Sequence, residues 1–233
     1  MRIKITIGCL LILLVALLAF AVPANALSLD ETRAAAERGD PEAQLMLFRM
    51  YERGQGVQRN YAQAVYWLRK AAEQGNAEAQ TFLGAMYVDG RGVQKNYIQA
   101  IYWTRKATEQ GLAMAHYALG VMYERGQGVQ QNYSQAFTWY RRAAEQGLAG
   151  AQLVIGIMYN EGRGVRQSYA QGISWLRKAA EQGHPWGQVF LGAMYADGLG
   201  VPLNRAKAIE YFQMAAAQGN EDARRALTFL GVR

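Results

Sequence analysis

Apolar side chains in residues 79–87 recur at the spacing of one face of an α-helix. They lie at Ala79, Phe82, Leu83, Met86 and Tyr87. A period close to 3.6 residues predicts an amphipathic helix. Gly90 and Gly92 follow directly, and glycine readily adopts the left-handed backbone conformation that ends a helix and reverses the chain. The sequence therefore predicts a helix that stops at a tight turn.

A second helix is predicted to begin at Asn96. The Asn96 side chain can accept hydrogen bonds from the free amides of a first helical turn, and Gln99 completes the pattern of a capping box. The positions predicted to be buried are Tyr97, Ala100, Ile101, Thr104, Ala107 and Thr108. The same pairing recurs at Asn60 and Gln63, Asn132 and Gln135, and Ser168 and Gln171. Asn204 is followed by Lys207 instead, so we expect a weaker fifth cap.

This pair of helices is one copy of a unit that returns every 36 residues. Its turn glycines are Gly54 and Gly56, Gly90 and Gly92, Gly126 and Gly128, Gly162 and Gly164, and Gly198 and Gly200. A tryptophan keeps the same interval at Trp67, Trp103, Trp139 and Trp175. A nucleotide-binding loop would not recur five times without its Lys-Ser/Thr pair, so we interpret these positions as structural.

The period also predicts the organisation of the chain. Residues 27–233 form one repeat domain, and the five full repeats are 40–75, 76–111, 112–147, 148–183 and 184–219, with partial capping helices at 29–38 and 220–233. Helices this short are unstable alone in water, so each must pack on its neighbours. The predicted fold is all-α, a solenoid of stacked helix-turn-helix units.

Glycines in the middle of the first helices indicate a close approach between helices. They are Gly84, Gly120, Gly156 and Gly192. Glycine inside a helix costs about 0.5–1 kcal/mol relative to alanine, so a compensating contact is expected at each copy. We predict that this contact is with Ala100, Ala136, Gly172 and Ala208 on the second helices.

The N-terminal residues predict export. Arg2 and Lys4 precede an uncharged apolar run, and Ala24-Asn25-Ala26 has the small side chains that a signal peptidase requires. We interpret residues 1–26 as a cleaved signal peptide, with an uncleaved membrane anchor as the alternative. Removal leaves 23 basic and 18 acidic residues, a net charge of +5, and no cysteine. Stability must then come from burial alone, in a periplasmic or secreted protein that contacts the membrane only transiently, through its signal peptide.

The repeated unit AxAQxxLGxMYxxGxGVxxxYxQAxxWxRKAAEQG resembles the Sel1-like repeat, a relative of the tetratricopeptide repeat. The similarity covers residues 40–219. A tetratricopeptide array has a period of 34 residues, whereas this chain keeps 36 and has the longer Gly-x-Gly turn. The resemblance implies a right-handed superhelix with the first helices on the concave side. It also implies an adaptor or scaffold role in an exported bacterial protein.

Catalysis is not expected, although some cysteine-rich relatives are described as β-lactamase-like or peptidoglycan-directed. No serine begins a Ser-x-x-Lys motif. His116 and His184 occupy different repeats, so a histidine-based metal site is not expected, nor is a cofactor. Two alternatives to a protein-binding scaffold remain at this point. One is such an enzyme, and the other is a fixed structural component of an envelope machine.

A partner protein or peptide is expected on the first helices, and nucleic acid is not. Positions that vary between copies are spaced four and three residues apart, which places them on one helical face. The candidate contacts are Tyr117, Val121, Glu124, Leu153, Ile157, Asn160, Trp186 and Val189. Tyr117 and Trp186 are the predicted anchors, because large aromatic side chains often dominate binding energy. The alternative is that Tyr117, Leu153 and Ile157 pack between adjacent repeats.

A second periodic feature is a pair of cations on each of four second helices. The pairs are Arg69-Lys70, Arg105-Lys106, Arg141-Arg142 and Arg177-Lys178. Such a series would suit an acidic partner. The simpler interpretation is a solvated face, offset by Glu73, Glu109, Glu145 and Glu181 within a helical turn.

Overall fold

The computed structural model describes residues 28–232, and all regular structure in this range is helical. The helices are α1 (Leu29–Glu37), α2 (Pro41–Arg53), α3 (Tyr61–Glu73), α4 (Ala77–Asp89), α5 (Tyr97–Glu109), α6 (Ala113–Arg125), α7 (Tyr133–Glu145), α8 (Ala149–Glu161), α9 (Tyr169–Glu181), α10 (Pro185–Asp197), α11 (Arg205–Ala217) and α12 (Glu221–Phe229). The first helix of each repeat packs on its second helix, and the second helix packs on the next repeat. The predicted stack of helical hairpins is confirmed.

Each first helix ends at the first glycine of its turn. Gly54, Gly90, Gly126, Gly162 and Gly198 have φ between +67° and +74° and donate their N–H to a methionine carbonyl four residues earlier. The left-handed conformation is costly for any residue with a Cβ, which explains the glycine. The interpretation of these glycines as turns is therefore confirmed.

The second helices are capped in a simpler way than predicted. The side chains of Asn60, Asn96, Asn132, Ser168 and Asn204 accept hydrogen bonds from backbone amides of the first turn. The cap's own N–H does not need the glutamine of a capping box, because it donates to a tyrosine carbonyl of the preceding helix, as from Asn96 to Tyr87 at 2.9 Å. Asn204 makes the same bond to Tyr195 at 2.8 Å. Its cap therefore keeps both hydrogen bonds, and the predicted weakness of the fifth cap is wrong.

In the repeats after the first, the second glycine of the turn contacts the preceding repeat. A Cβ on Gly92, Gly128 or Gly164 would overlap the carbonyl oxygen of Tyr61, Tyr97 or Tyr133, which begins the second helix of the repeat before. The lack of a side chain lets the turn of one repeat lie directly on the backbone of its neighbour. These glycines therefore fix the stacking of repeats as well as the reversal of the chain.

The mid-helix glycines bring the two helices of one repeat together, as predicted. A Cβ on Gly84, Gly156 or Gly192 would lie 3.1, 3.0 or 3.3 Å from the carbonyl oxygen of Ala100, Gly172 or Ala208. At Gly120 the nearest atoms belong to the Tyr140 ring, at 2.6 Å, instead of Ala136. In every full repeat after the first, the side chain twenty residues beyond the glycine packs over it. These side chains are Thr104, Tyr140, Leu176 and Phe212.

Buried glutamines link consecutive repeats. Gln80 Nε2 donates to the Ala72 carbonyl at 3.1 Å, and Gln110 Nε2 donates to Gln80 Oε1 at 2.9 Å. The same glutamine pair recurs at Gln44 and Gln74, Gln152 and Gln182, and Gln188 and Gln218. In the third repeat His116 replaces the first glutamine, and its Nδ1 lies 3.0 Å from Gln146 Nε2. Each junction therefore satisfies its buried amides with its own hydrogen bonds.

We predict that alanine at Gly128 destabilises the fold more than alanine at Gly111. Gly128 and Gly111 have positive φ angles of +74° and +78°. Alanine should therefore cause the same backbone strain in the folded state, and the same loss of flexibility in the unfolded chain, at both positions. A Cβ at Gly111 meets nothing within 4 Å, whereas one at Gly128 would overlap Tyr97. The strain alone should cost about 1–2 kcal/mol, and the overlap should add about 1–3 kcal/mol. Urea denaturation measures both losses, and equal losses would contradict the contact between repeats.

A second prediction concerns acid stability between about pH 7 and 5, on the acid side of an unperturbed histidine. Burial, and next the Arg142 cation, lower the pKa of His116, and burial lowers that of His184. Below the ordinary pKa of histidine, the unfolded chain therefore binds more protons than the folded state does. Because protons bind preferentially to the unfolded chain, the free energy of unfolding falls as the pH falls. His116→Gln combined with His184→Asn installs residues used at these positions in other repeats, and should flatten this dependence. A slope unchanged by the double variant would refute this assignment.

Candidate functional site

The first helices form the inner layer of the stack. Helices α4 and α6 of consecutive repeats contact each other directly. The first helices of repeats 1 and 2 are joined by an ion pair between Arg49 and Glu78 and by a 2.9 Å hydrogen bond from Asn76 Nδ2 to Glu42 Oε1. We call the exposed surface of these first helices the inner face. The variable face predicted from the sequence lies here.

Four of the predicted contact residues are buried between repeats. Tyr117, Leu153, Ile157 and Val189 are 5%, 3%, 6% and 2% exposed. The Tyr117 ring lies 5.2 Å from the Tyr140 ring, and burial raises the Tyr117 pKa. The other three belong to the apolar cluster that joins repeats 4 and 5. For Tyr117, Leu153 and Ile157 the alternative interpretation holds, and Val189 is buried in the same way, so the four residues form the floor of the inner face instead of its surface.

Glu124, also predicted as a contact, is a buried link between repeats. Its carboxylate accepts a hydrogen bond from the Tyr140 hydroxyl at 2.6 Å and pairs with Arg163 Nη1 at 3.4 Å. Burial, and next the Glu124 charge, raise the Tyr140 pKa, so this hydroxyl stays protonated and donates. Glu52 and Arg91 make the equivalent ion pair at 3.3 Å between repeats 1 and 2. The Glu124 carboxylate is thus already bonded to Tyr140 and Arg163 within the fold.

The remaining predicted contacts, Val121, Asn160 and Trp186, are partly exposed on the inner face. Asn160 Nδ2 lies 3.3 Å from Met194 Sδ, and its Oδ1 is buried with no hydrogen-bond partner among residues 28–232. Gly172 makes room for this side chain, since a Cβ there would overlap Asn160 Oδ1. Trp186 packs 6.4 Å from the Phe190 ring. The surface available to a partner is therefore narrower than the sequence predicted.

An apolar pocket of about 160 Å³ opens on the inner face between α4 and α6. Its walls include Phe82, Val88, Tyr117 and Val121, and Thr104 of α5 also lines it. Two charged side chains, Asp89 and Arg125, border it. Asp89 pairs with Arg91 at 2.8 Å. Arg125 is exposed and has no ion-pair partner within residues 28–232. The pocket therefore joins an apolar interior to an unpaired cation.

The pocket exists because repeat 2 fills its hairpin with a small residue. Thr104 packs over Gly84, whereas Tyr140, Leu176 and Phe212 pack over the equivalent glycines of later repeats. The junction between repeats 2 and 3 also differs from the junction between repeats 3 and 4. Val88 and Gln127 occupy the positions at which Glu124 and Arg163 form an ion pair. The repeat pattern alone did not predict this pocket. The available signal was that Thr104 is the smallest side chain at its position in the five repeats.

In each pair of cations on the second helices, which we call the outer helices, the second cation lies over an aromatic ring. Lys106 Nζ is 4.9 Å from the centre of the Tyr102 ring, and Lys178 Nζ is 4.1 Å from Trp175. Arg69 and Arg105 donate to Tyr87 and Tyr123 hydroxyls of the next repeat at 2.9 and 3.3 Å. Of the predicted glutamate partners, the described residues show one ion pair, from Arg141 to Glu145 at 2.7 Å. Packing and bridging explain this series without a ligand.

The fold and the inner face define a helical-hairpin solenoid of the scaffold type. The chain belongs to the Sel1 repeat family, whose model matches residues 41–76, 77–112, 113–148, 149–184 and 187–220. The family resemblance inferred from the repeated unit is therefore confirmed.

Solved bacterial structures share this architecture. A protective antigen of uropathogenic Escherichia coli with an SLR fold is 39% identical, with a TM-score of 0.79 over 86% of this chain and 43% of its own. A Sel1 repeat protein from Oxalobacter formigenes has the same identity and TM-score and is covered over 58% of its length. This chain thus spans about half the length of both. An immunity protein from Pseudomonas aeruginosa, 20% identical with a TM-score of 0.57 over 85% of this chain and 78% of its own, shares the fold.

No curated protein matches the chain. Residues 28–232 contain no helix with the length and apolar character needed to span a bilayer. The predicted signal peptide, residues 1–26, lies outside the described residues. Within the described part of the chain, no three His, Cys, Asp or Glu side chains are grouped as metal ligands would be.

We predict that Tyr117→Ala weakens folding. Its ring is buried between repeats, so truncation should lower the free energy of unfolding by about 3–5 kcal/mol. Val121→Ala is the control, because Val121 lies on the same helix and is partly exposed. Thermal and urea unfolding measure both. A loss at Tyr117 no larger than at Val121 would instead indicate a surface residue.

Proposed function

We propose that this chain is a non-catalytic scaffold that binds a partner protein or peptide along the inner face. The observation that carries the proposal is the partly exposed apolar surface of α4 and α6, which contains a pocket and a cation. Peptides and helices commonly bind in such grooves through a few apolar anchors. The partner contacts we propose are Val121, Asn160 and Trp186 from the sequence, together with Ala85 and Val88 beside the pocket.

The proposal includes export, because residues 1–26 have the composition of a signal peptide. The partner is then a protein of the bacterial envelope or its surroundings, and nucleic acid is not expected. The enzyme alternative has no supporting arrangement in residues 28–232, where the two histidines remain in separate repeats and no Ser-x-x-Lys motif occurs. A scaffold needs only a surface of suitable shape and charge.

The inner face is tested by placing one charge on each side of the stack. Ala85→Lys puts an ammonium group on the inner face, and Ala62→Lys puts the same group on the exposed side of α3. Lysine is a good helix former, so both variants should fold. We expect affinity for a partner identified by crosslinking and mass spectrometry to fall at least about tenfold for Ala85→Lys, and to change little for Ala62→Lys. The reverse pattern, measured by calorimetry, would place the binding site on the outer helices.

A further inference from the structure

We propose that the pocket between α4 and α6 recognises one phenyl-sized apolar side chain of the partner, next to a carboxylate. This inference rests on the proposed function, since it names the chemistry that the inner face selects. The occupant is a partner segment in which an aromatic residue adjoins an acidic group. The size of the pocket, the charge at its border and its origin in the repeat pattern favour this occupant.

The size of the pocket fits a single aromatic ring. Its volume is about 160 Å³, and apolar cavities of about 150 Å³ in proteins stay dry and take up benzene. Phe82 and Tyr117 provide aromatic walls, and Val88 and Val121 provide aliphatic ones. Phe82, Val88 and Val121 are partly exposed, so the pocket is reached from the inner face. A ring entering it would be desolvated by side chains that are already held in place by the repeats.

The charge at the border selects the neighbouring group of the ligand. Asp89 pairs with Arg91 at 2.8 Å, and Arg91 also pairs with Glu52 at 3.3 Å, whereas Arg125 has no ion-pair partner in the described chain. The border therefore carries an uncompensated guanidinium, which binds carboxylates with strong, charge-assisted hydrogen bonds. A ligand that combines the ring with a carboxylate meets both features. A ring with an adjacent cation would be repelled.

The pocket is a feature of one repeat in an otherwise filled stack. In repeats 3, 4 and 5 the space beside the mid-helix glycine is filled by Tyr140, Leu176 and Phe212, which are all larger than Thr104. The chain therefore contains, in its own sibling repeats, the substitutions that close the pocket. Thr104→Leu reproduces the arrangement of Leu176 over Gly156.

The test uses 3-phenylpropionate and its uncharged amide as probes of the whole chain. Nuclear magnetic resonance titration should show millimolar binding of the acid, as expected for a ligand of this size, and binding of the amide several-fold weaker. Thr104→Leu should abolish binding while leaving the fold as stable or more stable. Arg125→Gln should make the acid and the amide bind equally. Thr108→Leu, on the same helix but outside the pocket, is the matched control and should bind normally.

Several outcomes would overturn the inference. They are no binding of the acid by the unaltered protein, undiminished binding by Thr104→Leu, or loss of binding in Thr108→Leu as well. If Thr104→Leu does not fold, Val121→Phe fills the pocket from its partly exposed wall and should have the same effect. Probe binding that follows the prediction, combined with a partner indifferent to Ala85→Lys, would retain the pocket and reject the proposed function. Partner binding lost in Ala85→Lys, with probe binding unaffected by Thr104→Leu, would do the opposite.

Discussion

The close approach of two helices at a glycine is the constraint on which each full repeat after the first depends. Gly84, Gly120, Gly156 and Gly192 have no Cβ, so a side chain of the second helix packs directly over the first. The size of that side chain then decides whether the hairpin is closed. In repeat 2 Thr104 leaves it open toward the inner face. The contact that stabilises the fold and the pocket that we propose for recognition thus have one origin.

Polar contacts make the stack specific where apolar packing alone would not. At the junctions between repeats 1 and 2, 3 and 4, and 4 and 5, a buried glutamine side chain donates to a backbone carbonyl of the preceding repeat. These bonds run from Gln80 to Ala72, from Gln152 to Ala144 and from Gln188 to Ala180. Such groups are costly when unpaired, so a shifted stacking register would be penalised. The Glu52–Arg91 and Glu124–Arg163 pairs strengthen alternate junctions of the inner layer. The junction between repeats 2 and 3, which lacks such a pair, is the one with the pocket.

The sequence predicted the fold well and the binding surface poorly, and the physical reasons differ. Helix periodicity, cap residues and turn glycines act within a few residues of each other, so one repeat is enough to recognise them. Burial of Tyr117 or Glu124 depends on the next repeat, and variation between copies cannot separate a side chain that contacts a ligand from one that contacts a neighbour. The pocket was missed because it forms where Thr104 is smaller than the side chains at the equivalent positions of the other repeats. A pattern of polar and apolar residues shows this difference only when the copies are also compared by side-chain size.

The dependence of the pocket on a single residue type has a consequence for how such chains diversify. Equivalent positions recur every 36 residues, so exchanging one side chain for a smaller one would open a new subsite at a fixed distance along the array. Duplicating repeats 2 and 3 together would copy the subsite without redesigning the scaffold. The order of small and large residues along the solenoid would then set the spacing between the aromatic groups of the partner that it binds.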